Sequence, residues 1–131
     1  MCGIAGVFGA KEENAVARML SKLHHRGPDD EFCVAGDDFT LGARRLSIID
    51  LEGGRQPIAN ETEEIWVAQN GEIYNFLLLT EKLKQAGHHF RSRSDTEVLA
   101  HLYEEKGETF VYDLNGMYAV ALWDKKTRGA S

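Results

Sequence analysis

Cysteine is scarce in this chain, with Cys2 and Cys33 the only two among 131 residues. Two thiols so placed make no disulfide framework, no CxxC redox pair and no zinc-type spacing, which fits a reducing, cytoplasmic setting. Long apolar runs are missing too. No stretch approaches the roughly 18 consecutive apolar residues of a membrane helix, so neither a spanning segment nor a membrane partner is expected. A secretory signal would place positive charge ahead of its apolar run, whereas the first positive side chain here, Lys11, follows that run. Blocks of positive charge are also lacking. Beyond Arg44-Arg45 there is no run of lysine or arginine, and the formal net charge of -6 argues against a surface that tracks phosphates, so nucleic acid is not an expected partner. There is no internal repeat, low-complexity tract or long linker, and one globular domain over residues 1–131 is the simplest organisation.

What is present is a mixture of helical and strand periodicities. In "NAVARMLSKLHHRG", Val16, Met19, Leu20 and Leu23 recur at helical spacing, and Gly27-Pro28 stops the pattern. "FCVAG" and "FTLGARRLSIID" read as paired strands around Asp37-Asp38, with Cys33 as a packed strand residue, and "EIWVAQN" reads as a strand stopping at Asn70-Gly71. A second helix is expected from Asn75 as N-cap to Gly87, with Leu79 and Leu83 facing inward. Ser94-Asp95-Thr96-Glu97 fits a capping box for a third helix whose buried stripe is Val98, Leu99 and Leu102, closed by Gly107. "MYAVALWD" alternates as a last strand, and Trp66 and Trp123 are expected in the core. Without a regular βαβ rhythm, this pattern predicts an α+β fold of antiparallel sheets covered by helices.

The opening "MCGIAGVFG" sets a thiol directly ahead of an apolar run. One reading makes Cys2 a small hydrophobe at the start of a core strand. The other has Met1 removed, so that Cys2 carries both a nucleophilic thiol and a free α-amine. With a pKa of roughly 7.7 to 8.0, such an amine is partly neutral at physiological pH and can take the thiol's proton.

Four polar clusters interrupt the apolar pattern at element ends: "HHRGPDD", "ARRLSIID", "QNGEIYN" and "RSDTE". Loops held by a rigid scaffold are where binding and catalytic groups concentrate. Taken in order, MCGIAGVFG, HRGPDD, RRLSIID, QNGEIYN and SDTEVL resemble the glutaminase domain of asparagine synthetases, a class II glutamine amidotransferase of the N-terminal-nucleophile type. The resemblance runs from Cys2 to about Trp123.

That resemblance implies a four-layer αββα sandwich and hydrolysis of the glutamine side-chain amide to glutamate and ammonia. It makes Cys2 the nucleophile, with its own amine as base, and gives the oxyanion to the Asn70 side chain and the Gly71 backbone N–H. Fixed donors of this kind are each worth roughly 2.7 to 4 kcal/mol. It gives the substrate carboxylate to Arg45, whose guanidinium fork suits the task. Asp95 receives the ammonium, and Glu72 and the backbone of Leu46, Ser47, Ile48 and Ile49 line the pocket. The alternative role for Asp95 is support of the third helix start. The pairs His24-His25 and His88-His89 are read as surface or packing residues rather than metal ligands, because adjacent helical residues do not face one another and no partner stands at ligand spacing. His25 and Arg26 would shape a nearby loop. No metal or cofactor is expected in this domain.

The sequence departs from the family after "ALWD", where a further strand and an "RDxxGxKPLYY"-like segment would follow, so the sandwich is expected to be incomplete at its C-terminus. A synthetase domain or subunit that would use ATP and magnesium is likewise an implied partner outside this chain. An incomplete sheet exposes an edge, and a homo-oligomer or strand exchange would cover it. The competing functional reading is a non-catalytic glutamine-binding or interaction module derived from the same domain.

Overall fold

Residues 3–26, 30–45, 55–127 and 129–130 are described by a computed structural model of the chain. The first sheet is built from β1 (Gly3–Phe8), β2 (Asp30–Ala35) and β3 (Phe39–Arg45) in the order β1-β3-β2, antiparallel throughout. The pairing of "FCVAG" with "FTLGARR" follows the sequence expectation. Helix α1 (Glu13–Lys22) covers its outer face through Val16 and Leu20, both fully buried. Burying a side chain of that kind contributes about 1.5–3 kcal/mol. The helix lies close because β3 offers a glycine there: a Cβ on Gly42 would stand 2.6 Å from Leu20 Cδ1.

Three expectations for this half need correction. Met19 is 42% exposed, because the face that reaches the sheet is only as wide as the Val16–Leu20 pair. The helix ends at Lys22, and a 3₁₀ turn, His24–Arg26, carries the chain onward. Cys33 is exposed rather than packed, since it lies on β2, an edge strand of this sheet. Partial burial, with Glu13 and Glu31 nearby, holds its thiol above the ordinary range and so protonated.

The second sheet has the order β4-β5-β6-β7, from β4 (Ile58–Ala59), β5 (Ile65–Ile73), β6 (Gly116–Asp124) and β7 (Gly129–Ala130). Its outer face carries Ile65, Val67, Ile73 and Leu122 against Leu79 and Leu83 of α2 (Phe76–Gln85) and Val98, Leu99 and Leu102 of α3 (Asp95–Lys106). Its inner face carries Ala68 and Trp123 against Phe39, Leu41 and Ala43 of β3. Trp123 stacks on Phe8 and Phe39 with centroids 5.6 and 5.2 Å away. The layer order is therefore α1, first sheet, second sheet, α2 with α3, the four-layer αββα sandwich expected. Among the described residues no helix is long and apolar enough to cross a membrane.

The outer edge of β6 is paired with β7 only at Trp123 and Asp124. Among the described residues, Gly116–Leu122 has no second strand beside it, and Met117 there is 71% exposed. Asn75 precedes α2 as expected, but its side chain does not cap the helix. It donates to the carbonyl of Asp113 at 2.9 Å and accepts from the N–H of Asn115 at 3.0 Å, tying the start of α2 to the loop before β6.

Candidate functional site

Strand β5 does not stop at Asn70-Gly71; it runs on to Ile73, paired with β6 along its whole length. Asn-Gly favours turns, but here Ile73 is fully buried and anchors the strand beyond them. Gly71 makes the passage possible. Its φ of +143° is one that L side chains rarely adopt, and a Cβ would stand 2.0 Å from the Met117 carbonyl oxygen. No other residue fits.

Strand alternation puts Asn70 on the face of Trp66 and Ala68, which looks toward the first sheet, and β1 packs against β5 across the interior. The first described residue of β1, Gly3, pairs with Arg44, so the chain neighbours of Cys2 and Arg45 lie side by side. Cys2 itself lies outside the described residues, as do Leu46, Ser47, Ile48 and Ile49, and Arg45 is described through its backbone alone. The loop 27–29 that His25 and Arg26 would shape is also outside them, and His25 is exposed.

Asp95 opens α3 and meets β5 directly. Its Oδ2 accepts from the N–H of Ile73 at 2.9 Å, and only 8% of the residue is exposed. Burial pushes its carboxyl above the usual range, and the neighbouring charge of Glu72 adds to that, while bonds from Ile73 and the Gln69 side chain work against it. Two acids side by side, one buried and one exposed, form a place that a cation would relieve. The fold thus places Asp95 beside Ile73 and within reach of the Glu72 charge, on the stretch of β5 that follows Asn70 and Gly71.

Beneath them lies a polar layer. Gln56 accepts from the N–H of Gln69 at 2.7 Å, and the amides of Gln56 and Gln69 both donate to Thr96 Oγ1 at 3.0 Å. All three are buried, so these bonds hold the β5–α3 junction rigidly. Gln69 and Thr96 lie inside the quoted clusters, whereas nothing in the sequence marks Gln56.

The start of α3 differs from a simple capping box. Ser94 Oγ accepts from the N–H of Thr96 at 3.1 Å, while Glu97 reaches past the cap to the N–H groups of Arg91 (2.9 Å) and Ser92 (2.8 Å) and to Ser92 Oγ (2.6 Å). Burial would raise the Glu97 carboxyl, but bonds from His101, Ser92 and Arg91 outweigh it and hold the group below its ordinary range. The histidine pairs behave unequally. His89 is exposed, but His88 is buried and meets Glu61, Glu104 and Glu105, partners that ligand spacing along the sequence does not reveal.

A family model described as "Glutamine amidotransferase domain" matches residues 1–130. The chain is 44% identical to an asparagine synthetase [glutamine-hydrolyzing] of Arabidopsis thaliana, covering 98% of this chain and 23% of that protein. It is 41% identical to one from Bacillus subtilis, covering 95% and 21%. The chain therefore spans between a fifth and a quarter of the length of these relatives. Among solved structures, a glutamine phosphoribosylpyrophosphate amidotransferase from B. subtilis superposes with a TM-score of 0.77 at 21% identity, over 95% of this chain and 35% of that one. At that identity the likeness speaks for the fold, and the four-layer arrangement agrees with it.

Proposed function

The chain belongs to the glutamine amidotransferase domain family, and we propose that it hydrolyses the side-chain amide of glutamine with Cys2, freed of Met1, as nucleophile. The observation that carries this reading is Gly71. A strand residue with left-handed φ and no room for a side chain directly follows Asn70, on a strand facing β1, whose first residue follows Cys2.

In this reaction the Cys2 α-amine takes the thiol proton as sulfur attacks the amide carbon. The oxyanion that forms is held by Asn70 Nδ2 and the Gly71 N–H. Collapse returns the proton to the leaving nitrogen, ammonia departs and a thioester remains; water then adds to it and releases glutamate and the thiol. Arg45 holds the substrate carboxylate, Asp95 with Glu72 the ammonium, and the backbone from Leu46 to Ile49 closes the pocket. Apart from water, every group this half-reaction needs is on the chain, so ATP and magnesium belong with the step that consumes ammonia. Given relatives named as glutamine-hydrolysing asparagine synthetases, that step is transfer to aspartate in a synthetase domain or subunit.

The test is an intact mass before and after exposure to a glutamine-mimicking diazoketone, with glutamate release measured in parallel. Loss of Met1, a single adduct on Cys2 and release that disappears in Cys2→Ala are expected. An unreactive Cys2 after Met1 removal would favour a non-catalytic glutamine-binding module instead.

A further inference from the structure

Further along α3 lies a cluster that the proposed reaction does not use. Glu61 from the β4–β5 turn, His88 from the segment after α2, and His101 and Glu104 on α3 each bring one ligand-type atom within 4.8 Å of the others. His101 Nδ1 stands 2.8 Å from Glu61 Oε1, and His88 Nδ1 stands 2.9 Å from Glu61 Oε2 and 3.3 Å from Glu104 Oε2. Around zinc, with bonds of about 2.0–2.1 Å, tetrahedral ligand atoms lie about 3.3 Å apart. The closest pairs need open by only about half an ångström to reach that spacing.

Two further observations point to a cation rather than to ordinary ion pairing. Both rings are fixed from behind by carboxylates: His88 Nε2 lies 2.7 Å from Glu105 Oε1, and His101 Nε2 lies 2.9 Å from Glu97 Oε2. An ionised carboxylate only accepts, so each Nε2 carries a proton. His101 Nδ1, which has no hydrogen-bond partner, is left to offer its lone pair inward, whereas His88 Nδ1 meets Glu61 Oε2 at 2.9 Å and gives up the proton it shares there when a cation binds. The carboxylates behind the rings are the second shell that orients metal-binding histidines. Within the cluster, His101 Nδ1 and Glu61 Oε1 are buried and neither has a hydrogen-bond partner, although they are 2.8 Å apart. The oxygen stands off the axis along which the ring nitrogen would deliver a proton. With His101 fully buried, an ion between the two would satisfy both atoms.

We propose that Glu61, His88, His101 and Glu104 form a binding site for a divalent cation of the zinc class. Two imidazole nitrogens with two carboxylate oxygens form a borderline donor set that suits zinc, whereas magnesium and calcium favour oxygen alone. The ion pins α3 to the β4–β5 turn and to the segment after α2.

The test uses the full chain with Cys2→Ala and Cys33→Ser, so that no thiol competes, stripped with EDTA and titrated with zinc against a chromophoric chelator. Cobalt is the spectroscopic probe. One zinc per chain is expected, with a rise in Tm and the intense visible bands of four-coordinate cobalt. Glu104→Gln, a near-isosteric change at a partly exposed side chain, should weaken zinc binding at least tenfold and abolish the rise in Tm. His88→Gln should do the same, and Glu104→Gln decides the matter if His88→Gln fails to fold. Absence of stoichiometric zinc uptake, or uptake indifferent to Glu104→Gln, overturns the proposal. Glutaminase activity is not read, so the outcome is independent of the reaction proposed above.

Discussion

Replacing Asp95 by asparagine should separate binding from stability. The asparagine oxygen can still accept from the N–H of Ile73, and the Gln69 amide can flip so that Oε1 receives the new amide and the Thr96 hydroxyl, so the junction exchanges one bond for another rather than losing them. What disappears is a buried negative charge. Because the folded carboxyl has a raised pKa, the unfolded chain loses its proton first as pH rises from about 3.9. Between the two values the folded state binds more protons, so stability falls with rising pH and the penalty is fully present above the folded value. Asp95→Asn should therefore leave urea stability at pH 7 unchanged or raise it by up to about 1 kcal/mol. Glutamine binding moves the other way. Hydrogen bonds to charged groups are worth about 1.5–3 kcal/mol, so KM should rise roughly 10- to 150-fold with kcat little changed. For the native protein, glutamine affinity should fall with acid already above the ordinary aspartate range. The assay is glutamate release from glutamine, set beside hydrolysis of glutaramate, the analogue without the α-amine. Losses from the variant and from the analogue should not multiply, because both delete one contact. A variant that loses stability and binds glutamine normally would refute the argument and leave Asp95 as a support of the helix start.

Other perturbations follow from the geometry. Gly71→Ala forces a Cβ onto the Met117 carbonyl in a strained conformation; a loss of at least about 1–3 kcal/mol in urea unfolding and of glutamate release is expected, and an unchanged Tm would contradict the close approach. Trp123→Ala removes the ring stacked on Phe8 and Phe39 and should cost about 3–5 kcal/mol, whereas a loss below about 1 kcal/mol would mean the two sheets do not depend on it. If a second copy covers β6, light scattering should give a mass above the 14.7 kDa of one chain, with slow exchange of the outward amides of residues 116–122. A monomer with rapidly exchanging amides there would exclude that assembly.

Much of this fold is legible because local signals and tertiary demands agree. Leu79 and Leu83, or Val98, Leu99 and Leu102, recur at helical spacing and are buried for that reason. The misreadings occur where a distant element decides. Asn70-Gly71 looks like a turn until β6 is seen beside it, and Met19 continues a stripe that the sheet is too narrow to cover. Cys33 alternates like a core residue on a strand that happens to be an edge. His88 and His101 belong to separate segments, so only the packing of α2 and α3 against the β4–β5 turn brings them to Glu61. Asn70, Gly71, Glu72 and Asp95 stand in ordered motifs that draw attention to them, whereas the pairing of Gln56 with Gln69 and Thr96 leaves no local pattern.

The inner layer between the sheets acts as a spacer as well as a core. In the reaction proposed above, Cys2 directly precedes β1 of one sheet in the sequence, while Asn70, Gly71 and, through Ile73, Asp95 are borne by the other, so attacking atom and receiving groups would ride on opposite slabs. Their separation would then follow the thickness of the layer formed by Phe39, Leu41, Ala43, Ala68 and Trp123, and a displacement of about 1 Å can cost roughly a hundredfold in rate. On that reading residues remote from any substrate contact would act as the gauge blocks of the proposed reaction, and a smaller side chain among them should detune the chemistry before it unfolds the protein.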